Sequence, residues 1–227
     1  MINKYAVSKA VAFLLVLICS HSAIAASQAD TKSAAMGDAT AGKSKSASCV
    51  GCHGNDGNSP SPLFPKLAGL GEKYLFKQLQ DIQSKRRDIA QMTGLLDGMT
   101  PQDLRDIAAY YNSQKMQISG AKPIEVQVNS GIKVDGLALG ERIFRAGNQK
   151  TGVPACTGCH SPRGLGNEPA GYPRLSGQYA EYIETQLKSF RSGDRTNDGD
   201  TQVMRQVAQY MSDAEIIAVA NYIAGLN

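Results

Sequence analysis

Apolar side chains recur at helical spacing in two segments, one near the end of each half of the chain. In the first segment the apolar positions are three or four residues apart: Leu104, Ile107, Ala108 and Tyr111. This spacing predicts an amphipathic helix with one buried face. Thr100 and Asp103 form a near capping box at its start, with Pro101 at the first helical position, and Ser212 and Glu215 form a full box at the start of the matching helix.

Each half carries the pattern of two earlier helices. The first is predicted to run from Asp38, and again from Asp135, towards a cysteine motif, and the second covers about 72–86 and 178–191. Residues 114–134 are polar, contain glycine and proline, and show no periodicity, so little in them is expected to pack. The chain is therefore predicted to be all-α, with a linker between two helical domains.

The two halves are related by a tandem repeat. The matching segments are Phe64-Pro65-Lys66-Leu67-Ala68-Gly69 with Tyr172-Pro173-Arg174-Leu175-Ser176-Gly177, Tyr74, Gln78 and Leu79 with Tyr182, Gln186 and Leu187, and Met99-Thr100 with Met211-Ser212. A two-fold repeat of roughly 100 residues indicates duplicated globular domains. The predicted boundaries are a signal peptide at 1–25, an N-terminal domain at 26–113, a linker at 114–134 and a C-terminal domain at 135–227.

The first 25 residues have the pattern of a secretory signal. Lys4 and Lys9 precede an apolar run over 11–18, and Ala23-Ile24-Ala25 is a small-residue cleavage site. The run is too short to span a bilayer core of about 30 Å. Cys19 follows an isoleucine where a lipoprotein signal needs a small residue, so lipidation is disfavoured. We therefore expect an exported, periplasmic protein.

Charge gives little indication of a partner. The formal charge of +4 falls to +2 once Lys4 and Lys9 leave with the predicted signal. Nothing indicates nucleic-acid binding, and the one basic cluster, Lys85-Arg86-Arg87, is expected to be a solvated helix end. Residues 26–123 carry a net charge of +3 and the remainder −1. This asymmetry could orient the protein on a partner, or it could be drift in surface charge.

Two copies of C-x-x-C-H carry the candidate chemistry: Cys49-Val50-Gly51-Cys52-His53 and Cys156-Thr157-Gly158-Cys159-His160. This motif attaches a c-type haem. Thiols three residues apart project from one helical face and can add to the two vinyl groups of one porphyrin, and the histidine then lies under the iron. Two disulfides or a four-thiolate zinc site are the alternatives, but both leave the histidines unexplained.

The second axial ligand is sought by elimination. The chain has three histidines, of which His21 leaves with the signal and His53 and His160 serve as proximal ligands. Neither iron can therefore take a second histidine from this chain, and a peroxidase would lack a distal histidine. Methionine fits best, with lysine, asparagine, tyrosine or an open position as alternatives.

Two pairs of repeat-related methionines compete for this role. Met99 and Met211 directly precede helix N-caps, where a staple contact with a residue such as Leu104 explains them by packing. Met92 and Met204 lie seven residues earlier in segments predicted to be loops, where a thioether can reach the iron. We therefore predict Met92 and Met204 as axial ligands of the first and second haem.

Two prolines are predicted to support the proximal histidines. A ligating imidazole normally donates its other ring N–H to a carbonyl. Pro65 and Pro173 follow the motifs by 12 and 13 residues, so their carbonyls are candidate acceptors, and a rigid turn before the next helix is the alternative role.

The last helix of each half is expected to pack on the first. The residues expected to meet are Tyr110 with Gly42 and Tyr222 with Gly140. Ser46 stands where the second half has Phe144, so this helix contact is expected to be weaker in the first domain.

The ordered segments CVGCHGNDGNSP, FPKLAG, KQLQDI, DIAAYYNSQK, PACTGCH and RTNDGDTQVMR resemble the dihaem cytochrome c4 family over nearly the whole mature chain. The resemblance implies two tandem class I cytochrome c domains, each with a few helices around one covalent haem, and haems that approach each other at the domain boundary. It places the axial methionines on Met92 and Met204. Members are periplasmic, often loosely membrane-associated, and pass electrons towards terminal oxidases.

The sequence thus predicts a periplasmic dihaem electron carrier, with an upstream donor and a terminal oxidase as redox partners, rather than an enzyme. One alternative is the cytochrome subunit of a periplasmic dehydrogenase complex, such as a sulfide-oxidising flavocytochrome. The other is a dihaem peroxidase, which would need one open iron.

Overall fold

The computed structural model describes residues 36–227, so the predicted signal at 1–25 lies outside the described residues. The elements of the first half are α1 Ala39–Lys45, a 3₁₀ helix Ala47–Cys49, α2 Val50–His53, α3 Glu72–Gln83, a 3₁₀ helix Ala90–Met92 and α4 Pro101–Asn112. Those that follow are β1 Glu125–Gln127, β2 Lys133–Asp135, α5 Gly136–Ala146, α6 Thr157–His160, α7 Ala180–Ser192, α8 Val203–Ala208 and α9 Asp213–Gly225. None of the helices in this part of the chain is long and apolar enough to cross a membrane.

The predicted helix starts are confirmed by their caps. Thr100 and Ser212 each accept a hydrogen bond from the backbone of the third helical residue, whose carboxylate returns a bond to the cap backbone. Asp38 and Asp135 cap α1 and α5 with their side chains, which accept hydrogen bonds from the backbone N–H groups of the second and third helical residues. By contrast, α3 ends three residues earlier than predicted because Lys85 adopts a left-handed backbone with φ 59°.

The first and last helices of each half cross in direct contact at a glycine. A Cβ on Gly42 would lie 1.9 Å from the carbonyl oxygen of Asp106, and one on Gly140 would lie 2.2 Å from that of Ala218. The Cβ atoms of Tyr110 and Tyr222 lie beside these two points, as predicted from the sequence. The absence of a side chain at the two glycines therefore allows α1 to touch α4, and α5 to touch α9.

The helix contact at Ser46 involves a large partner residue, and the expectation that this contact is weaker than the one at Phe144 stays a prediction. Ser46 is 1 % exposed and lies beside Tyr111, which is also 1 % exposed. In the second half the large residue is Phe144 and the repeat counterpart of Tyr111 is Ile223, both fully buried. Across this helix contact the first half pairs a small residue with tyrosine, whereas the second half pairs phenylalanine with isoleucine.

The connecting segment packs on both domains, so the interpretation of residues 114–134 as poorly packed is wrong. Met116 is buried in the core of the first half, and Val126 in that of the second. The strands β1 and β2 form a short antiparallel hairpin. The Asn221 side chain accepts from the Lys122 N–H at 2.9 Å and donates to the Lys122 carbonyl at 2.8 Å. Side-chain amides and isolated apolar residues fix this segment, and neither leaves a periodic pattern.

Candidate haem sites and the domain boundary

The first C-x-x-C-H motif forms a single helical turn beside a cavity. Cys49 closes a 3₁₀ helix, α2 follows directly, and Gly54 ends it in the left-handed region with φ 76°. The cavity has a volume of about 510 Å³, and its wall includes Cys49, His53, Pro65 and Met92. Four of the residues predicted for the first haem therefore meet at one site, and Cys52 lies on the same helical turn.

The second motif repeats this arrangement around α6. Cys156 immediately precedes α6, while Cys159 and His160 lie within it. His160 and His53 are each 7 % exposed. Cys156 and Met204 both pack against the apolar core of the second half. The helical turn aligns the thiols and the imidazole in both halves, as the three-residue spacing requires.

Both proximal histidines are oriented by a proline carbonyl. His53 Nδ1 lies 2.9 Å from the carbonyl oxygen of Pro65, and His160 Nδ1 lies 2.9 Å from that of Pro173. With Nδ1–H donating to this carbonyl, Nε2 is left for the iron. Burial lowers the pKa of His53 and of His160, although the proline contact acts in the opposite direction. Burial therefore favours the neutral form of both rings, which is the form that binds a metal.

The thiols occupy apolar surroundings. All four cysteines in the described chain are free, and no three His, Cys, Asp or Glu side chains of residues 36–227 group as a metal site. Burial raises the pKa of Cys49, and it raises the pKa of Cys156 to about 11. A thioether, which carries no ionisable proton, suits such an environment better than a thiolate.

Packing accounts for one methionine pair. Met211 is 4 % exposed in the second core, and Met99 packs against the first. Their carbonyls accept hydrogen bonds from equivalent side chains, Gln83 to Met99 at 2.9 Å and Arg191 to Met211 at 2.8 Å. These contacts tie both methionines to the start of the last helix.

The other methionine pair is held by short helices, so the prediction that both lie in loops is wrong. Met92 ends a 3₁₀ helix, and Met204 lies in the first turn of α8. Asp198 fixes this turn, because its carboxylate accepts from the Arg205 backbone N–H at 2.9 Å and from its Nε at 2.8 Å. A six-residue helix is too short to show apolar periodicity, so the sequence pattern could not reveal it.

Polar side chains join the two domains, and sequence reasoning missed them. The Gln178 amide accepts from the Lys66 N–H at 3.0 Å and donates to the Lys66 carbonyl at 2.8 Å. The Lys66 ammonium, in a residue only 4 % exposed, donates to the carbonyl of Gln117 and lies 4.7 Å from the Tyr179 ring centroid. The Tyr179 hydroxyl donates to the carbonyl of Ser59. The contacts of Gln178 with Lys66 and of Tyr179 with Ser59 join residues more than 100 positions apart, which no local pattern reports.

Glu168 of the second domain caps a helix of the first. Gly71, at the N-cap of α3, offers no side chain, and the Glu168 carboxylate instead accepts from the Lys73 N–H at 2.9 Å. The Lys73 ammonium returns a bond to the carbonyl of Pro169 at 2.8 Å. A carboxylate at a helix N-terminus is favoured by the helix dipole, so this contact stabilises both α3 and the domain boundary.

The basic cluster 85–87 is not a solvated helix end throughout, which corrects the expectation from the sequence. Arg86 is exposed and pairs with Asp81, but Arg87 is half-buried and donates to Tyr182 of the second domain at 3.1 Å. The internal repeat could have indicated this contact of Arg87 across the domain boundary, because Arg195 holds the equivalent position in the second half.

The residues around the first cavity fit a haem. Its wall combines apolar side chains with the thiol, imidazole and thioether that a c-type haem requires. The Tyr111 hydroxyl, on the same wall, is buried and has no hydrogen-bond partner among residues 36–227. Cys49 and Cys52 would form the thioethers and His53 would bind the iron, with Met92 as the predicted opposite ligand. The haem supplies a one-electron Fe(III)/Fe(II) couple.

Comparison with known proteins agrees with this geometry. The family model for cytochrome c matches residues 39–115 and 137–227. Cytochrome c4 of Pseudomonas aeruginosa is 52% identical over 85% of this chain and 90% of its own length. The crystal structure of reduced cytochrome c4 from Pseudomonas stutzeri superposes with a TM-score of 0.77 at 50% identity, over 84% of this chain and all of that chain.

A relative with lower sequence identity is named for the enzyme from which it accepts electrons. The thiosulfate dehydrogenase electron acceptor of Thiomonas intermedia is 36% identical over 79% of each chain. The all-α fold, with one small hairpin, and the covalent attachment of two haem c groups are confirmed by these relationships. The duplicated haem-binding architecture and the similarity over most of its length show that this chain belongs to the cytochrome c4 family of electron carriers.

Proposed function

We propose that this electron carrier works in the periplasm and passes electrons from a respiratory donor to a terminal oxidase, with His53–Met92 and His160–Met204 as the axial pairs. The observation that supports it is that each half repeats the same parts, a histidine oriented by a proline carbonyl and a methionine held by a short helix, and His53 and Met92 line one cavity. His/Met coordination raises the reduction potential relative to nitrogen-only ligation. It also closes both axial positions, which favours electron transfer over chemistry on a bound substrate.

Carbon monoxide tests the axial ligands. The reduced holoprotein should not bind it at either haem. Met92→Ala and Met204→Ala should each open one haem to stoichiometric binding and lower the potential of that haem. Met99→Ala and Met211→Ala are matched controls and should leave both haems closed. If a control variant opens instead, the ligand assignment is wrong, and if the unaltered protein binds carbon monoxide, a closed electron carrier is the wrong description.

Location and partner need separate measurements. Fractionation of the source cells should release the protein with the periplasm, or with membranes after a salt wash if it associates peripherally. When the reduced protein is mixed with oxidase-containing membranes in a stopped-flow instrument, its oxidation should be faster than turnover of the oxidase. The rate of this oxidation should fall as the ionic strength rises. Slow oxidation at every ionic strength would contradict the proposed acceptor.

The relationship to a thiosulfate dehydrogenase electron acceptor supports a second candidate, in which a periplasmic dehydrogenase is the donor. The oxidised protein should then be reduced rapidly by such an enzyme together with its substrate. The two roles are compatible in one chain, since the first names an acceptor and the second a donor.

A further inference from the structure

Two arginines related by the internal repeat face each other across the domain boundary. Arg87 lies nine residues after Gln78, and Arg195 lies nine residues after Gln186. Arg195 is 9 % exposed and Arg87 is half-buried. Each guanidinium donates to both glutamines: Arg87 at 2.7 and 3.0 Å, and Arg195 at 3.0 and 2.6 Å. The glutamine oxygens are therefore shared, and neither guanidinium can move without disturbing the bonds of the other.

Each arginine also reaches the tyrosine of the opposite domain. Arg87 donates to the Tyr182 hydroxyl at 3.1 Å, and Arg195 donates to the Tyr74 hydroxyl at 3.4 Å. Tyr74 and Tyr182 are themselves repeat partners. The six side chains thus form a pseudo-two-fold cluster, which we call the arginine bridge: Tyr74, Gln78, Arg87, Tyr182, Gln186 and Arg195.

The arginine bridge has no negative charge of its own. Its glutamine and tyrosine acceptors are neutral groups, and neither arginine takes part in an ion pair within residues 36–227. The nearby Asp81 carboxylate is occupied by Lys77, Arg86 and Asn197. A buried and a half-buried cation side by side without an ion-pair partner are unfavourable. This arrangement indicates that an anionic group completes the cluster in the working protein.

The position of the arginine bridge indicates which anion this is. Arg87 and Arg195 both line the cavity that contains His53 and Met92. Haem c carries two propionate groups, and guanidinium is the side chain best suited to carboxylates because it donates a planar pair of hydrogen bonds. A haem in this cavity would bring its carboxylates to a wall that contains one arginine from each domain.

We propose that Arg87 and Arg195 act as one shared positioning pair, which holds haem carboxylate at the domain boundary and couples each haem to the charge of the other. Because a nearby positive charge disfavours the ferric state, each arginine raises the reduction potential of both haems. Because the glutamine oxygens are shared, loss of either arginine disturbs both haems and not only that of its own domain.

The test uses the holoprotein with Arg87→Gln and Arg195→Gln, singly and together. Arg142→Gln is the matched control, since it removes the same formal charge from an exposed position on α5. Potentiometric titration should show both midpoint potentials lowered in each single variant and unchanged in the control. Redox-difference infrared spectra should show shifted propionate carboxylate bands in the bridge variants alone.

Charge-conserving variants separate this role from domain docking. Arg87→Lys and Arg195→Lys keep the positive charge but lose the planar guanidinium. Their midpoint potentials should therefore stay close to those of the unaltered protein, while the carboxylate bands should still shift. If Arg87→Gln or Arg195→Gln changes only the midpoint potential of the haem in its own domain, the two arginines do not act as a shared pair and the proposal fails. Unchanged carboxylate bands, or unchanged potentials in a folded variant, would show that the arginines serve the domain boundary alone.

Discussion

The glycine crossing of α1 and α4 provides a quantitative test of the packing. In Gly42→Ala the new Cβ would lie 1.9 Å from the Asp106 carbonyl oxygen, whereas ordinary contact begins at 3.4 Å. The helices must therefore separate by about 1.5 Å or distort, since a packed core has no space to absorb the methyl group. Overpacking of this kind costs about 1–3 kcal/mol, and the better helix propensity of alanine returns about 1 kcal/mol. Because the obstacle is a backbone carbonyl and cannot swing aside, the cost lies in the upper part of this range, about 2–3 kcal/mol, and we expect a net destabilisation of roughly 1–2 kcal/mol.

Thermal unfolding of the ferric holoprotein, followed by circular dichroism, measures this effect. For a domain of this size a change of 1 kcal/mol moves Tm by roughly 4–8 °C, so Gly42→Ala should lower the Tm of the first domain by about 4–16 °C. Lys43→Ala is the control, because it places an alanine at the neighbouring position of α1, where the side chain is exposed. A Gly42→Ala protein as stable as the control would refute close contact between the helices at this point.

Three further changes test the domain boundary and the second core. Glu168→Ala should cost about 0.5–2 kcal/mol in denaturant unfolding through loss of the α3 cap, and Glu168→Gln, which keeps an acceptor oxygen, should cost less. Burial opposes ionisation of Asp81, but the hydrogen bonds from Lys77 and other donors hold its pKa below its usual value. Its stabilisation is therefore complete above the ordinary value of 3.8 and is lost as the pH falls further, so Asp81→Asn should flatten the acid limb of a stability–pH curve while lowering stability at pH 7. Ser176→Ala removes a buried hydroxyl without a partner and copies Ala68 of the first half, so the melting temperature should stay equal or rise.

Features encoded over a few residues could be predicted from the sequence, while those that depend on distant contacts could not. The capping boxes at Thr100 and Ser212 gave the helix starts, because a cap is a contact between residues three apart. The glycine crossing near Gly42 is the exception among distant contacts, because the internal repeat shows an equivalent glycine and an equivalent tyrosine in both halves. The cap provided by Glu168, by contrast, depends on a residue 95 positions from its partner, and no periodicity records such a distance. Met204 was placed in a loop because α8 has too few residues to show a helical pattern.

The repeat also shows where the two haems differ. Across the arginine bridge, equivalent residues make reciprocal contacts, as in a two-fold symmetric dimer, so this cluster treats both haems alike. A fully symmetric pair would give the two haems equal potentials and the electron no preferred direction. The symmetry fails beside the prolines that orient the histidines. The residue after Pro65 is the buried Lys66, whereas the residue after Pro173 is Arg174, which is half-buried and donates from its Nε to the carbonyl of Ser176. Lys66 is the more deeply buried of the two cations, so water screens its charge less than that of Arg174, and the electrostatics of the two halves differ at this position.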